Sequence, residues 1–339
     1  MRLVLTLSIL AFVTQTQSLS AQQPQLPAHV QQVRSWLPAD TETLVVATNA
    51  GKAHDPSLYS LGRLLVRQPI LEPLDELVDD LAIDWGIHAG RNFRTASAFG
   101  TQVQEGVSVV RYTQPLTANL LSQIHEALSK DPQSKKTKIG DHDVYVFPIS
   151  KQGREGWAKE QDWEGRFVVL LDEHTIIKAS SDRYLDECLA RIKQKPTTMA
   201  LPDDLPEWKY LDPKADVWLL RHVPRKNGNL RLQGLVWMAG GGRPFRVVYV
   251  PNKGASVREI AERSWIDQKT REIPADLLPL LSFAEAEDGV LTFTLGGNKP
   301  GLDEEQVEQV KERLKDSALV GKLGGFMMFF PYTSQGLTE

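Results

Sequence analysis

Three kinds of residue in this chain carry chemistry: carboxylates beside tryptophans, cations without counter-charges, and single thiol and imidazole groups. The first kind lies in GREGWAKEQDWEGR (153–166), where Trp157 and Trp163 stand among Glu155, Glu160, Asp162 and Glu164. Exposed indoles stack on sugar rings or anchor a partner protein. Glycoside hydrolysis needs two carboxylates opposed across the scissile bond, an arrangement that one loop does not supply. Trp157 and Trp163 are the candidates for partner or glycan contact; the plainer arrangement, which the pattern favours, folds both indoles back onto a sheet edge.

The second kind fills the stretch from Val217 to Arg258, which has no Asp or Glu at all. Arg221, Arg225, Lys226, Arg231, Arg243, Arg246, Lys253 and Arg258 give it eight positive charges, with Trp218, Trp237, Phe245 and Tyr249 among them. A basic strand face with aromatics binds polyanions such as acidic polysaccharide or anionic headgroups. Arg221, Arg225, Lys226, Arg231, Arg243 and Arg246 are the polyanion-binding candidates. The competing reading is a solvated face neutralised by the acidic segments 257–272 and 303–316.

The single groups point away from catalysis. Asp141-His142-Asp143 offers metal-type donors, but adjacent strand residues alternate sides and do not converge on one ion; with Gly140 before them they read as a turn. Cys188 sits between Leu185 and Leu189 on the apolar side of a helical pattern, where a thiol is buried and inert. The other histidines (29, 54, 88, 125, 174, 222) show no ligand spacing. No H-E-x-x-H, C-x-x-C, G-x-S-x-G or S-x-x-K occurs. AGGGRP (239–244) joins two strands and opens no helix, so it cannot cradle phosphate as a helix N-terminus does. No catalytic residue, cofactor or metal ligand is assigned.

The chain opens MRLVLTLSILAFV, one positive charge and an eleven-residue apolar run, followed by Ser18 and Ser20 before Ala21. That is the layout of a secretory signal peptide over 1–20, too short to span a bilayer. The expectation is an exported, periplasmic or extracellular protein, soluble once the leader is removed, with no transmembrane segment in the mature chain. The lone cysteine allows no intrachain disulfide, and a formal charge of −4 gives no global attraction to nucleic acid.

The elements that must position these residues follow from periodicity. A helix is predicted from Pro27, then a strand at 43–48, a helical leucine pattern over 56–82 and strands at 94–102 and 106–113 turning at Glu105-Gly106. A helix at 116–130 and a strand at 144–149 complete a βαββαβ order. A hairpin at 166–179 with Asp172-Glu173-His174 at its turn leads to a helix capped by Ser181 or Asp182. KPTTMALPDDLP (195–206) is the Pro-rich connector. The second half repeats the order with strand 217–222, hairpins at 230–250 and 283–295, helices near 255–270 and 302–315, and a last strand FMMFF (326–330). WLPADTETLVVA (36–47) and YLDPKADVWLLR (210–221) align without a gap, 174 positions apart. The fold class is thus α+β: a duplicated unit of antiparallel-rich sheet with helices on one face. Its repeats span 21–194 and 207–339, with the connector 195–206 between them.

The opening Leu37-Pro38-Ala39-Asp40 and the later TIIKASSDRYLDECL (175–189) resemble a loose family of exported bacterial proteins of unknown function. The resemblance implies an envelope protein of interaction type and brings no catalytic residues. The function expected is a non-enzymatic binding protein of the bacterial cell envelope. Its partner would be an anionic envelope polymer or another envelope protein, not a specific nucleic acid. The alternative is a hydrolase with a carboxylate-based site at the seam between the repeats.

Overall fold

A computed structural model describes residues 25–48, 81–94, 102–130, 134–147, 166–194, 196, 198–222, 232–240, 243–251, 281–285, 290–295 and 305. The expected leader, the leucine-rich helix 56–80, the Trp157/Trp163 loop, the helices near 255–270 and 302–315 (Glu305 apart) and FMMFF lie outside these residues. So do Arg225, Lys226, Arg231, Lys253 and Arg258.

Twelve strands form one sheet: β1 (Thr43–Thr48), β2 (Ile83–Arg94), β3 (Gln102–Tyr112), β4 (Lys135–Ile139), β5 (His142–Phe147), β6 (Arg166–Leu170), β7 (Thr175–Ala179), β8 (Val217–His222), β9 (Leu232–Gly240), β10 (Arg243–Pro251), β11 (Leu281–Glu285) and β12 (Leu291–Leu295). Their order is β11-β12-β10-β9-β8-β1-β2-β3-β7-β6-β5-β4, and every neighbouring pair is antiparallel. Among the described residues the helices are α1 (Ala28–Trp36), α2 (Ala118–Lys130), α3 (Asp182–Gln194) and a 3-10 turn at Pro206–Tyr210. A mostly antiparallel sheet with a few helices is an α+β fold, as its hairpin-rich sequence requires. Both halves of the chain share the sheet through β1 and β8, which pair from Thr43↔Arg221 to Ala47↔Val217.

The alternation of β1 decides the layering. Leu44 and Val46 enter a core with Trp85, Ile87, Trp218 and Leu220, covered by Val30 and Val33 of α1 and by Tyr184, Leu185, Cys188 and Leu189 of α3. Each such apolar side chain contributes about 1.5–3 kcal/mol on burial. The opposite parity carries a cross-strand row from Val45 through His88, Ser108, Lys178 and Val168 to Tyr145. There the His125 ring of α2 packs at 5.6 Å from Tyr145. Helices therefore lie on both faces, not one, because the central strands are buried on both parities: all of Thr43–Ala47 is buried. No helix among the described residues is long and apolar enough to cross a membrane.

A second expectation changes, and two features go beyond the periodicity. The strands foreseen at 94–102 and 106–113 are Ile83–Arg94 and Gln102–Tyr112, and Glu105-Gly106 lies inside β3 rather than at a turn. Gly106 faces Gly90 in the ladder, and a Cβ there would sit 2.9 Å from the Ala89 carbonyl oxygen. Close strand packing, not a turn, explains that glycine. KKTKI forms β4, an exposed edge strand that a search for apolar alternation passes over; lysines on an edge oppose strand addition. The connector is pinned to the fold: the buried Arg34 of α1 donates to the carbonyl oxygens of Ala200 and Leu201, at 3.2 and 2.6 Å, and to Asp203 at 2.8 Å.

Candidate functional site

The polar groups of the first half gather at one end of the sheet. Pro38 and Asp40 turn the chain into β1, and Thr41 closes the turn by donating its N–H and hydroxyl to the Pro38 carbonyl. This projects Asp40 onto Arg91 at the end of β2, at 2.7 Å. Arg91 also donates to Glu105 of β3 at 2.8 Å and to Glu187 of α3 at 3.0 Å. Glu105 accepts further bonds from Ser181 and Arg183. Ser181 also takes the Tyr184 N–H, as a helix N-cap should. The two short motifs of the sequence thus meet around one guanidinium, and the hydroxyls of Thr41 and Tyr184 lie 2.7 Å apart. Burial opposes charge on Arg91, but hydrogen bonds to Glu187, Asp40 and Glu105 outweigh it and hold its pKa above the usual value. For Glu105, burial is outweighed by Arg183, Arg91 and Ser181, which keep its pKa below the carboxylate norm. Such a mutually neutralised cluster fixes geometry; its charges are spent on one another.

The second half places a different group at the end of β8 and β9. Glu207 of the 3-10 turn is fully buried, and its Oε1 accepts from His222 Nδ1 at 3.0 Å. Its Oε2 is buried without a hydrogen-bond partner. His222 faces Gly234 across the β8–β9 ladder. Any Cβ at Gly234 would overlap the Glu207 carboxylate and the Arg221 carbonyl oxygen, so β9 gives up a side chain to admit the acid. Sequence alone singles out neither Arg91 nor Glu207, places Glu105 in a turn and counts His222 among the scattered histidines. An isolated glycine inside a strand pattern, as at Gly234, was the available signal of a close approach.

Arg221 is buried at the β1–β8 seam, and Arg246 is half-buried. Arg243 starts β10. Trp218, Trp237 and Tyr249, expected among the basic residues of a binding face, are buried, with Trp218 in the helix-covered core. Arg221 on β8 and Arg246 on β10 lie on strands separated by β9. Asp141 and Asp143 pair with Lys193 and with Lys136 and Lys138 around a turn whose Gly140 has φ +57°. Among the described residues no three His, Cys, Asp or Glu converge as a metal requires. Cys188 is buried, which pushes its thiol pKa up. His88 is buried against the Ser108 hydroxyl at 2.9 Å, and loss of solvent pushes its pKa down to about 4.

No protein-family model matches this chain, and no curated protein sequence matches it.

Proposed function

We propose that this is an exported, non-enzymatic binding protein of the bacterial cell envelope, built from a duplicated α+β unit and directed at an anionic envelope polymer. The observation that carries the reading is the seam. Where a hydrolase would need a cleft between the halves, β1 and β8 are hydrogen-bonded neighbours with both parities buried: Leu44, Val46, Trp218 and Leu220 on one side, Val45 and Leu219 on the other. Catalytic and small-molecule sites are concave; this seam is filled.

Duplication is supported by the register. With the 174-residue offset of the aligned segments, Val45 corresponds to Leu219, and these two residues face each other in the β1–β8 ladder. Thr43↔Arg221 and Ala47↔Val217 are then equivalent pairs, as a two-fold axis between Val45 and Leu219 requires. Arg34 and its counterpart Trp208 meet across the same axis, the guanidinium 4.7 Å from the ring centre. Outward from the seam, β1-β2-β3-β7-β6 and β8-β9-β10-β12-β11 follow one plan.

The test is retention of the purified protein on immobilised heparin across a salt series. A variant with Arg225, Lys226, Arg231 and Arg243 changed to Glu runs beside it; the buried Arg221 stays intact. Steeply salt-dependent retention that the variant loses is the expected result. No retention at low salt overturns the polyanion reading.

A further inference from the structure

The end of the β8–β9 ladder holds an imidazole whose orientation the fold has fixed. An ionised carboxylate only accepts hydrogen bonds, so in neutral His222 the proton sits on Nδ1, facing Glu207 Oε1 at 3.0 Å. The lone pair is then on Nε2. Glu207 has no exposed surface, whereas the His222 side chain keeps 21% of its own. Burying a carboxylate with one oxygen unpartnered is costly, and Gly234 has surrendered its side chain to admit it. Under the duplicated-unit reading, the corresponding positions in the first half are Val33, Thr48 and Trp85. Thr48 faces Trp85 as His222 faces Gly234. The fold itself therefore does not require an acid and an imidazole at this corner.

We propose that His222 is a binding site in which Glu207 orients the ring so that Nε2 accepts a hydrogen bond from a hydroxyl-bearing ligand. Carboxylate-backed imidazoles serve this way wherever a ring nitrogen must be presented in one tautomer. The ligand class rests on the envelope-polymer reading: an acidic polysaccharide supplies hydroxyl donors for His222 and anionic groups for the basic strands. The tautomer does not depend on that reading.

The test is nuclear magnetic resonance of the purified protein with its histidine rings labelled with nitrogen-15, His222 being identified by its loss in H222Q. The expected spectrum has Nδ1 of His222 protonated and Nε2 unprotonated, the reverse of the tautomer that free histidine favours. E207Q shifts this balance toward the Nε2–H form. Adding heparin oligosaccharide, or a neutral dextran oligosaccharide, moves the Nε2 resonance of His222 and leaves His174 unmoved. An Nε2–H tautomer in the unsubstituted protein overturns the proposal, as does an Nε2 resonance that neither oligosaccharide moves. A response to dextran without retention on heparin would uphold the site and sink the polyanion reading alone.

Discussion

Two corners of this sheet occupy corresponding places under the proposed duplication and are filled with opposite chemistry. In the first half, Val33 is buried, Thr48 ends β1, and Trp85 stands opposite it with the His29 ring stacked at 5.0 Å. In the second half, Glu207, His222 and Gly234 hold these positions. The backbone solves both in the same way: each helical segment ends in a leucine with extended dihedrals, Leu37 at −77°, 145° and Leu211 at −78°, 133°. One corner is closed by bulk and the other by a hydrogen bond in a space that a glycine vacates. Stability explains the apolar corner. The polar corner gains no hydrophobic energy from its acid, so its composition points to use.

Substitutions that exchange or empty the corners sharpen this contrast. The largest effect is expected at Trp85: W85A leaves a cavity in the shared core and costs about 4 kcal/mol in a denaturant titration, whereas G234A fails through overlap and costs about 3 kcal/mol. If G234A were silent, the close approach of Glu207 would be wrong.

A pH series tests the histidine sealed inside the sheet. His88 has a folded pKa of about 4 against an ordinary 6.5. As pH falls through that window the unfolded chain takes up a proton that the native state refuses. Stability present above pH 6.5 is lost toward pH 4, by about 3 kcal/mol in all. H88N should flatten this slope; a variant that keeps the full slope would mean that another group carries it.

The smallest net effect is expected when the polar corner is rewritten as the apolar one. H222T alone strands the buried acid and costs about 3 kcal/mol. E207V with H222T restores stability to within about 1 kcal/mol of the parent. A double variant as unstable as H222T would mean that Glu207 has structural work beyond holding the ring.

Much of the fold was legible because it rests on local rules. The strand TLVVAT, the hairpin around Asp172-Glu173-His174, a helix cap at Ser181 or Asp182 and the buried Cys188 follow from alternation, turn chemistry and helical spacing over a few residues. Gly140 reads as a turn because glycine takes the left-handed region without steric cost, and its φ is +57°. The misplaced turn at Glu105-Gly106 shows where such rules stop. A glycine serves a turn or a close approach equally well, and only the partner strand decides between them. The polar residues of the site were harder still. Arg91 gathers partners from positions 40, 105 and 187, and Glu207 finds His222 and Gly234 through three separate elements.

The sequence by itself determined that this chain forms antiparallel strands with amphipathic helices, that its cysteine is a core residue, and that Gly140-Asp141 is a turn, although His142 and Asp143 belong to the strand that follows it. These are consequences of side-chain period and backbone preference, which act between near neighbours. Only the tertiary structure decided that the halves join into one sheet, that Arg221 and the tryptophans of the basic stretch are buried, and that a glutamate and a histidine meet over a glycine. Those outcomes depend on which strand lies beside which and on which face each one turns inward. Pairings between distant segments set both, and no window of sequence contains them.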